Sequence, residues 1–158
     1  MSLDDEIAKA ISAHGIWKRW LRSAIDKEKI DVDPVEVAKD NGCPFGEWLY
    51  GTTIPATTRA GADYAAVRKL HADYHQCAAN VLECVAHGQK AQADALMTGD
   101  CALISAELTS AMAKWSVANH QIRAGLRLQC CYGRPAAEIP SEPAQAPFDP
   151  VRLAENVS

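Results

Sequence analysis

The sequence lacks the features that mark membrane, nucleic-acid-binding and secreted proteins. No apolar run approaches the roughly 20 residues that are needed to span a bilayer. A net charge of −4 gives no basis for attraction to nucleic acid or to an anionic membrane. The N-terminus is acidic, whereas a signal peptide opens with basic and then apolar residues. We therefore expect a soluble, cytoplasmic protein that has neither a nucleic-acid nor a membrane partner.

Alternating strand patterns are also missing, and helical periodicity dominates the 158 residues. We predict an all-α fold, an antiparallel four-helix bundle with an additional short helix that carries Cys43. The predicted segments are a helix from Leu3 to Ile30 with Ser2 as its cap, short segments from Asp33-Pro34 and from Cys43-Pro44 to Gly51, a helix from Thr57 or Thr58 to His87, and a last helical region from Gln89 to Leu128 that is weakened near Gly99.

Composition divides the chain in two. A hydrophobic fraction of 48% and a charged fraction of 23% are ordinary for one soluble domain, which we place at residues 1–130. Residues 131–158 contain repeated prolines that exclude a continuous helix, and we predict a mobile tail there. The sequence leaves open whether Phe148, Val151 and Leu153 form a docking segment, and whether residues 151–156 form a short helix.

Six cysteines would allow three disulfides, but a reducing compartment argues against such a framework. Cys77, Cys84 and Cys101 lie inside helical patterns and are interpreted as buried small apolar residues. Cys130 and Cys131 lie where the helical pattern fades. The sequence leaves open whether this pair is exposed and reactive or cross-links two chains.

Four residues have the chemistry and the setting of metal ligands. His71 and His75 stand at positions i and i+4 of a predicted helix, so both imidazoles lie on one face. His14 falls in the apolar stripe of the first helix, and Cys43 precedes a proline that suits a first helical turn. Taken singly, His14 or Cys43 is more commonly an inert core residue. Together the three imidazoles and one thiolate form a set suited to four-coordinate zinc.

The order and the flanking residues of these segments resemble the chemoreceptor zinc-binding (CZB) family of bacterial signalling domains. The family pattern is a histidine followed three residues on by an aromatic, then C-x-(apolar)-G-x-(aromatic or apolar), then H-x-x-x-H. The chain matches it with His14/Trp17, Cys43/Phe45/Gly46/Trp48 and His71/His75, over roughly residues 5–120.

The resemblance implies a regulatory Zn²⁺ site that senses either zinc availability or oxidation of Cys43 by an oxidant such as hypochlorous acid. It also implies a homodimer, and a chemoreceptor or a diguanylate cyclase (cyclic-di-GMP) as the partner of an apparently free-standing domain. The main alternative is a closed structural zinc site in an interaction module. Hydrolysis is disfavoured because a complete ligand set leaves no open position, and no H-E-x-x-H base accompanies the site. We therefore expect no enzymatic activity.

The sequence also suggests residues around the metal. Asp73 and Glu47 are close in sequence to the candidate ligands, and either would serve as a hydrogen-bond partner for a ligand imidazole. Trp17 and Trp48 are interpreted as core residues that shield the site from water.

Overall fold

The computed structural model describes residues 3–130, with side chains described for residues 3–121. The described part contains helices and no strands, as the sequence predicts. The helices are α1 (Leu3–Lys27), α2 (Pro34–Val37), α3 (Pro44–Tyr50), α4 (Ala56–Arg59), α5 (Ala62–Ala86), α6 (Lys90–Thr98) and α7 (Asp100–Cys130). None of these helices is long and apolar enough to cross a membrane. The predicted Ser2 cap and the predicted tail at 131–158 lie outside the described residues.

Four helices build the core, which confirms the all-α bundle. Each of α1, α5, α6 and α7 contacts the other three, and α2 packs on α5. The largest fully buried side chains come from several of these helices, which close around one apolar interior. They include Leu21, Ile25, Val67, Leu82, Leu108 and Met112.

The short segments begin where their capping residues predict. Asp33 accepts a hydrogen bond from the backbone N–H of Val35 at 2.9 Å, and Pro34 opens α2. Cys43 caps α3 in the same way, and Gly51 ends it. The additional short helix behind Cys43 is therefore confirmed.

Two predicted helix limits are wrong, and the local backbone explains both. The first helix ends at Lys27 rather than Ile30, because Glu28 adopts a left-handed conformation with φ of 52°. The long central helix starts at Ala62 with Gly61 as its N-cap, and neither Thr57 nor Thr58 caps it. Both threonines lie instead inside the separate turn α4.

The remaining helix limits lie at or next to glycine residues. Gly88, with φ of 68°, follows the end of α5, at a conformation that an L-residue rarely adopts. Gly99 separates α6 from α7, at the position where the sequence predicts weakening. The long α7 then runs along both α1 and α5.

The interpretation of Cys77 and Cys101 as separate buried thiols is wrong. The two residues form a disulfide that joins α5 to the first turn of α7. Both side chains are buried, as predicted, but helical periodicity shows only that each faces the core. It cannot show that the two faces meet with Cα atoms 5.7 Å apart. Among the described residues, Cys43 and Cys84 are free and buried.

Reduction of the Cys77–Cys101 disulfide should lower the free energy of unfolding by about 2–4 kcal/mol, because the crosslink restricts the unfolded chain across 24 residues. Guanidinium unfolding with and without a phosphine reductant would measure the loss. The matched control is the double variant Cys77→Ala/Cys101→Ala, whose stability should not respond to reductant. An equal response in the control would assign the effect to another cysteine pair.

Candidate metal centre

Local sequence fixes the position of the Cys43 sulfur. The residue is the N-cap of α3, and its Sγ accepts a hydrogen bond from the backbone N–H of Gly46 at 3.2 Å. Pro44 occupies the first turn, where its missing N–H costs nothing. The Cys43 residue is only 8% exposed. The cap therefore holds a buried sulfur at the start of α3, where it also faces His71 of α5.

Gly46 is required for a steric reason that the sequence pattern alone does not reveal. A Cβ atom at this position would lie 1.9 Å from the carbonyl oxygen of Asp40, a separation that real structures do not tolerate. The close approach lets the loop before α3 fold back over its first turn. Gly46 therefore both donates to the Cys43 sulfur and leaves room for the backbone beside it.

Replacing Gly46 by alanine should displace the loop and the Cys43 sulfur together. We expect a loss of about 1–3 kcal/mol in stability, as is usual for overpacking, and weaker metal binding. Gly42→Ala is the matched control, since its Cβ would meet nothing closer than 3.7 Å. Thermal unfolding and a zinc competition titration would compare the two variants. Equal behaviour of the two variants would contradict the proposed role of Gly46.

Helix α5 supplies two imidazoles to the same point. His71 and His75 are 4% and 9% exposed, and their ring centroids are 4.6 Å apart. The Nε2 atom of His71 lies 3.4 Å from the sulfur of Cys43. One ligand atom from each of Cys43, His71 and His75 lies within 4.8 Å of the other two. We call these three residues the cluster.

A backbone carbonyl orients His75. The Nδ1–H of His75 donates to the carbonyl oxygen of Val37 at 2.7 Å, and because a carbonyl only accepts, the proton must be on Nδ1. Nε2 therefore carries the lone pair that a metal would use. Val37 ends the short helix α2, where carbonyls lack partners within the helix.

The two carboxylates that the sequence suggests as hydrogen-bond partners of a ligand imidazole lie elsewhere. Asp73 pairs with Lys69 on the outer face of α5, and the Glu47 side chain is exposed. The carboxylate that acts on the cluster is that of Asp40. Its negative charge raises the pKa values of His71 and His75 and so partly offsets the effect of burial. Tyr50 donates its hydroxyl hydrogen bond to Asp40 and so holds that carboxylate beside the cluster.

His14 does not lie in the cluster. Its Nε2 is hydrogen-bonded to the hydroxyl of Ser105 at 2.9 Å, across from α1 to α7. Its ring packs against Tyr74, with centroids 4.1 Å apart. The structure thus brings three of the four predicted ligands together and leaves the fourth beside them.

Burial sets the protonation states of these groups. It is the main cause that lowers the pKa of His71 to about 3 and that of His14 to about 4, and it also lowers the pKa of His75. The imidazoles are therefore neutral at neutral pH, which is the form that binds metal. Burial likewise raises the pKa of the Cys43 thiol, against the hydrogen bonds from backbone N–H groups. A metal that takes Cys43 as a ligand must therefore displace a proton.

Aromatic side chains surround the cluster. Phe45 meets the His71 ring edge-on at 5.1 Å, and Trp17 lies 6.3 Å from His75. Trp48 packs further away, against Phe45 and Trp115. Trp17 and Trp48 are half-buried rather than enclosed in the core. They shield only part of the site, because a partly open cavity of about 550 Å³ has all three cluster residues in its wall.

The donor set fits zinc. Zinc–nitrogen and zinc–sulfur distances of about 2.0–2.3 Å with tetrahedral angles put sulfur and nitrogen about 3.5 Å apart. Cys43 and His71 already have this separation. A thiolate with imidazoles is a borderline-soft set that favours zinc over calcium or magnesium, which prefer oxygen ligands.

The family comparison agrees with this chemistry. Residues 14–82 match the family model of the chemoreceptor zinc-binding domain. This segment of the chain is therefore similar to a CZB domain. The match begins at the predicted ligand His14 and ends within α5, so it contains the cluster. No curated protein and no solved structure matches the chain.

The matched segment leaves out helices α6 and α7, and α7 contributes to the site. Helices α6 and α7 follow the matched residues, and α7 supplies both Ser105 and the cavity residue Met112. Neither residue is among those that the sequence predicts for the site. Ser105 stands four residues after Cys101 and three before Leu108, a helical spacing that predicts its buried position.

Proposed function

We propose that the chain is a zinc-binding regulatory protein whose site exchanges metal or reacts with oxidants. Cys43, His71 and His75 hold the zinc, and His14 completes the set as the fourth ligand. The proposal depends mainly on one observation: the cluster lines a partly open cavity and is not sealed in the core. Zinc, chelators and small oxidants therefore have a route to the ligands, which a purely structural site does not need.

Two inputs suit this arrangement. Zinc availability would set occupancy directly, and because the ligands come from separate segments, occupancy is coupled to the packing of those segments. An oxidant is the other input. Hypochlorous acid would transfer Cl⁺ to the Cys43 thiolate, releasing hydroxide, and hydrolysis of the sulfenyl chloride would give the sulfenic acid and chloride. Zinc, when bound, keeps the sulfur in its thiolate form, and the oxidised sulfur is a poorer ligand.

The output would pass to a separate signalling partner, a chemoreceptor or an enzyme of cyclic-di-GMP metabolism, with the chain acting as a homodimer. The chemoreceptor association of the CZB family supports this part of the proposal. The family is a zinc-binding signalling domain and not a known enzyme family, so the proposed role is regulatory rather than catalytic. The cytoplasmic location and the division at residue 130 stay predictions.

Metal analysis before and after oxidation tests the proposal. Purified protein should contain one zinc per chain, and one equivalent of hypochlorous acid should release it as the Cys43 thiol is lost. Mass spectrometry after thiol trapping would compare Cys43 with Cys84, a buried free cysteine outside the cluster. Zinc that is released only by a chelator favours sensing of zinc. Zinc that resists both reagents would favour the structural alternative, and absence of zinc would contradict the proposal.

A further inference from the structure

The hydrogen bond between His14 and Ser105 joins parts of the chain that are 91 residues apart. Ser105 lies in the apolar inner face of α7 and is 2% exposed. A buried hydroxyl costs free energy unless it is hydrogen-bonded, so Ser105 needs a hydrogen-bond partner at this position. That partner is His14, a predicted metal ligand that stands outside the cluster.

This bond and metal coordination by His14 exclude each other in the observed geometry. Neither ring nitrogen of His14 joins the group of ligand atoms that lie within 4.8 Å of one another. The imidazole must therefore move before it can share a metal with Cys43, His71 and His75. Movement of the ring away from its observed place breaks the 2.9 Å bond to Ser105 and changes its packing on Tyr74.

We propose that Ser105 is a positioning residue that holds His14 out of the cluster, so that recruiting His14 as the fourth ligand releases Ser105. This inference rests on the proposed zinc binding by the cluster. It gives the site two states, one with three ligands and one with four, and it connects the choice between them to α7. Helix α7 also contacts α1 and α5, which carry three of the four ligands between them. The Ser105 contact therefore couples metal occupancy to the packing of α7 against the rest of the bundle.

The test is a double-mutant cycle on zinc affinity, measured by chelator competition. Ser105→Ala removes the bond that competes with coordination, and a net hydrogen bond of ordinary strength corresponds to about two- to tenfold tighter zinc binding. In a His14→Ala background the same substitution should have no effect, because no imidazole is left to release. Thr109→Ala is the matched control on α7: its hydroxyl donates to the backbone carbonyl of Ser105, and its loss should leave affinity unchanged.

A second readout is spectroscopic. Side-chain ¹H–¹⁵N spectra of the wild-type histidines should show His14 hydrogen-bonded without zinc and bound to metal through one ring nitrogen with zinc. The visible spectrum of the Co²⁺-loaded protein should differ between the wild-type chain and His14→Ala, because a water would replace the imidazole in the variant.

Several outcomes would overturn the inference. Weaker zinc binding by Ser105→Ala would mean that the hydroxyl supports the bound form, and an equal change in the His14→Ala background would assign the effect to packing. A His14 ring whose spectrum stays unchanged on zinc addition would also overturn the inference. If the wild-type chain binds no zinc, the proposed function fails as well. If it binds one zinc through the cluster while Ser105→Ala matches the wild type, only the role of Ser105 is lost.

Discussion

Replacing Cys43 or His71 by alanine should abolish stoichiometric zinc binding. The two side chains meet at 3.4 Å and belong to the three-residue cluster, so either substitution leaves two ligands at that point. Loss of an outer hydrogen-bond partner of a ligand typically costs 10–100-fold in metal affinity, and loss of a ligand itself should exceed this. Zinc content after gel filtration and the dissociation constant from chelator competition would measure the effect.

The control for this prediction is Cys84→Ala. Cys84 is also buried, free and on α5, but it lies outside the cluster. It should keep one zinc per chain and wild-type affinity. Retention of stoichiometric zinc by both Cys43→Ala and His71→Ala would show that the metal binds elsewhere. Loss of zinc from Cys84→Ala as well would indicate that any disturbance of the core empties the site.

Removal of zinc should lower the melting temperature by about 10 °C. A ligand at a thousand times its dissociation constant stabilises the folded state by about 4 kcal/mol, and each kcal/mol shifts the midpoint of a domain of this size by about 2–4 °C. The effect arises because the metal would connect the loop before α3 to α5. Thermal unfolding by circular dichroism, in excess zinc and in excess chelator, would measure the difference.

Cys43→Ala provides the comparison for this experiment. Its melting temperature should be the same in zinc and in chelator, because the variant lacks the ligand that joins the loop to α5. A zinc-dependent shift that persists in the variant would point to a different site. His120 would then be a candidate, since it lies 3.3 Å from Asp4, and imidazole and carboxylate are both common metal-ligand types.

The parts of the site that local sequence predicts are those with short-range causes. The i, i+4 spacing places His71 and His75 on one face of α5 without reference to the rest of the chain. Pro44 and the capping behaviour of Cys43 predict the start of α3, and Asp33 does the same for α2. The resemblance to the CZB family includes Cys43, His71 and His75, which all lie within the matched range.

Some local features were harder to predict because two signals compete. Thr57 and Thr58 are good capping residues by type, yet Gly61 caps α5 and both threonines lie in a separate turn. Helical periodicity extends α1 to Ile30, but the backbone turns into the left-handed region at Glu28. In each case the residue types allow more than one limit, and the packing of the following segment selects one of them.

Sequence by itself determined the helical class, the caps of α2 and α3, and the placement of His71 and His75 on one face of α5, since these depend on neighbours within about one helical turn. Tertiary structure alone decided that Cys77 pairs with Cys101, that the Val37 carbonyl orients His75, and that His14 bonds to Ser105 instead of joining the cluster. These contacts join residues that are 24, 38 and 91 positions apart. Periodicity shows which residues face the core, but only the packing of whole helices shows which of them meet.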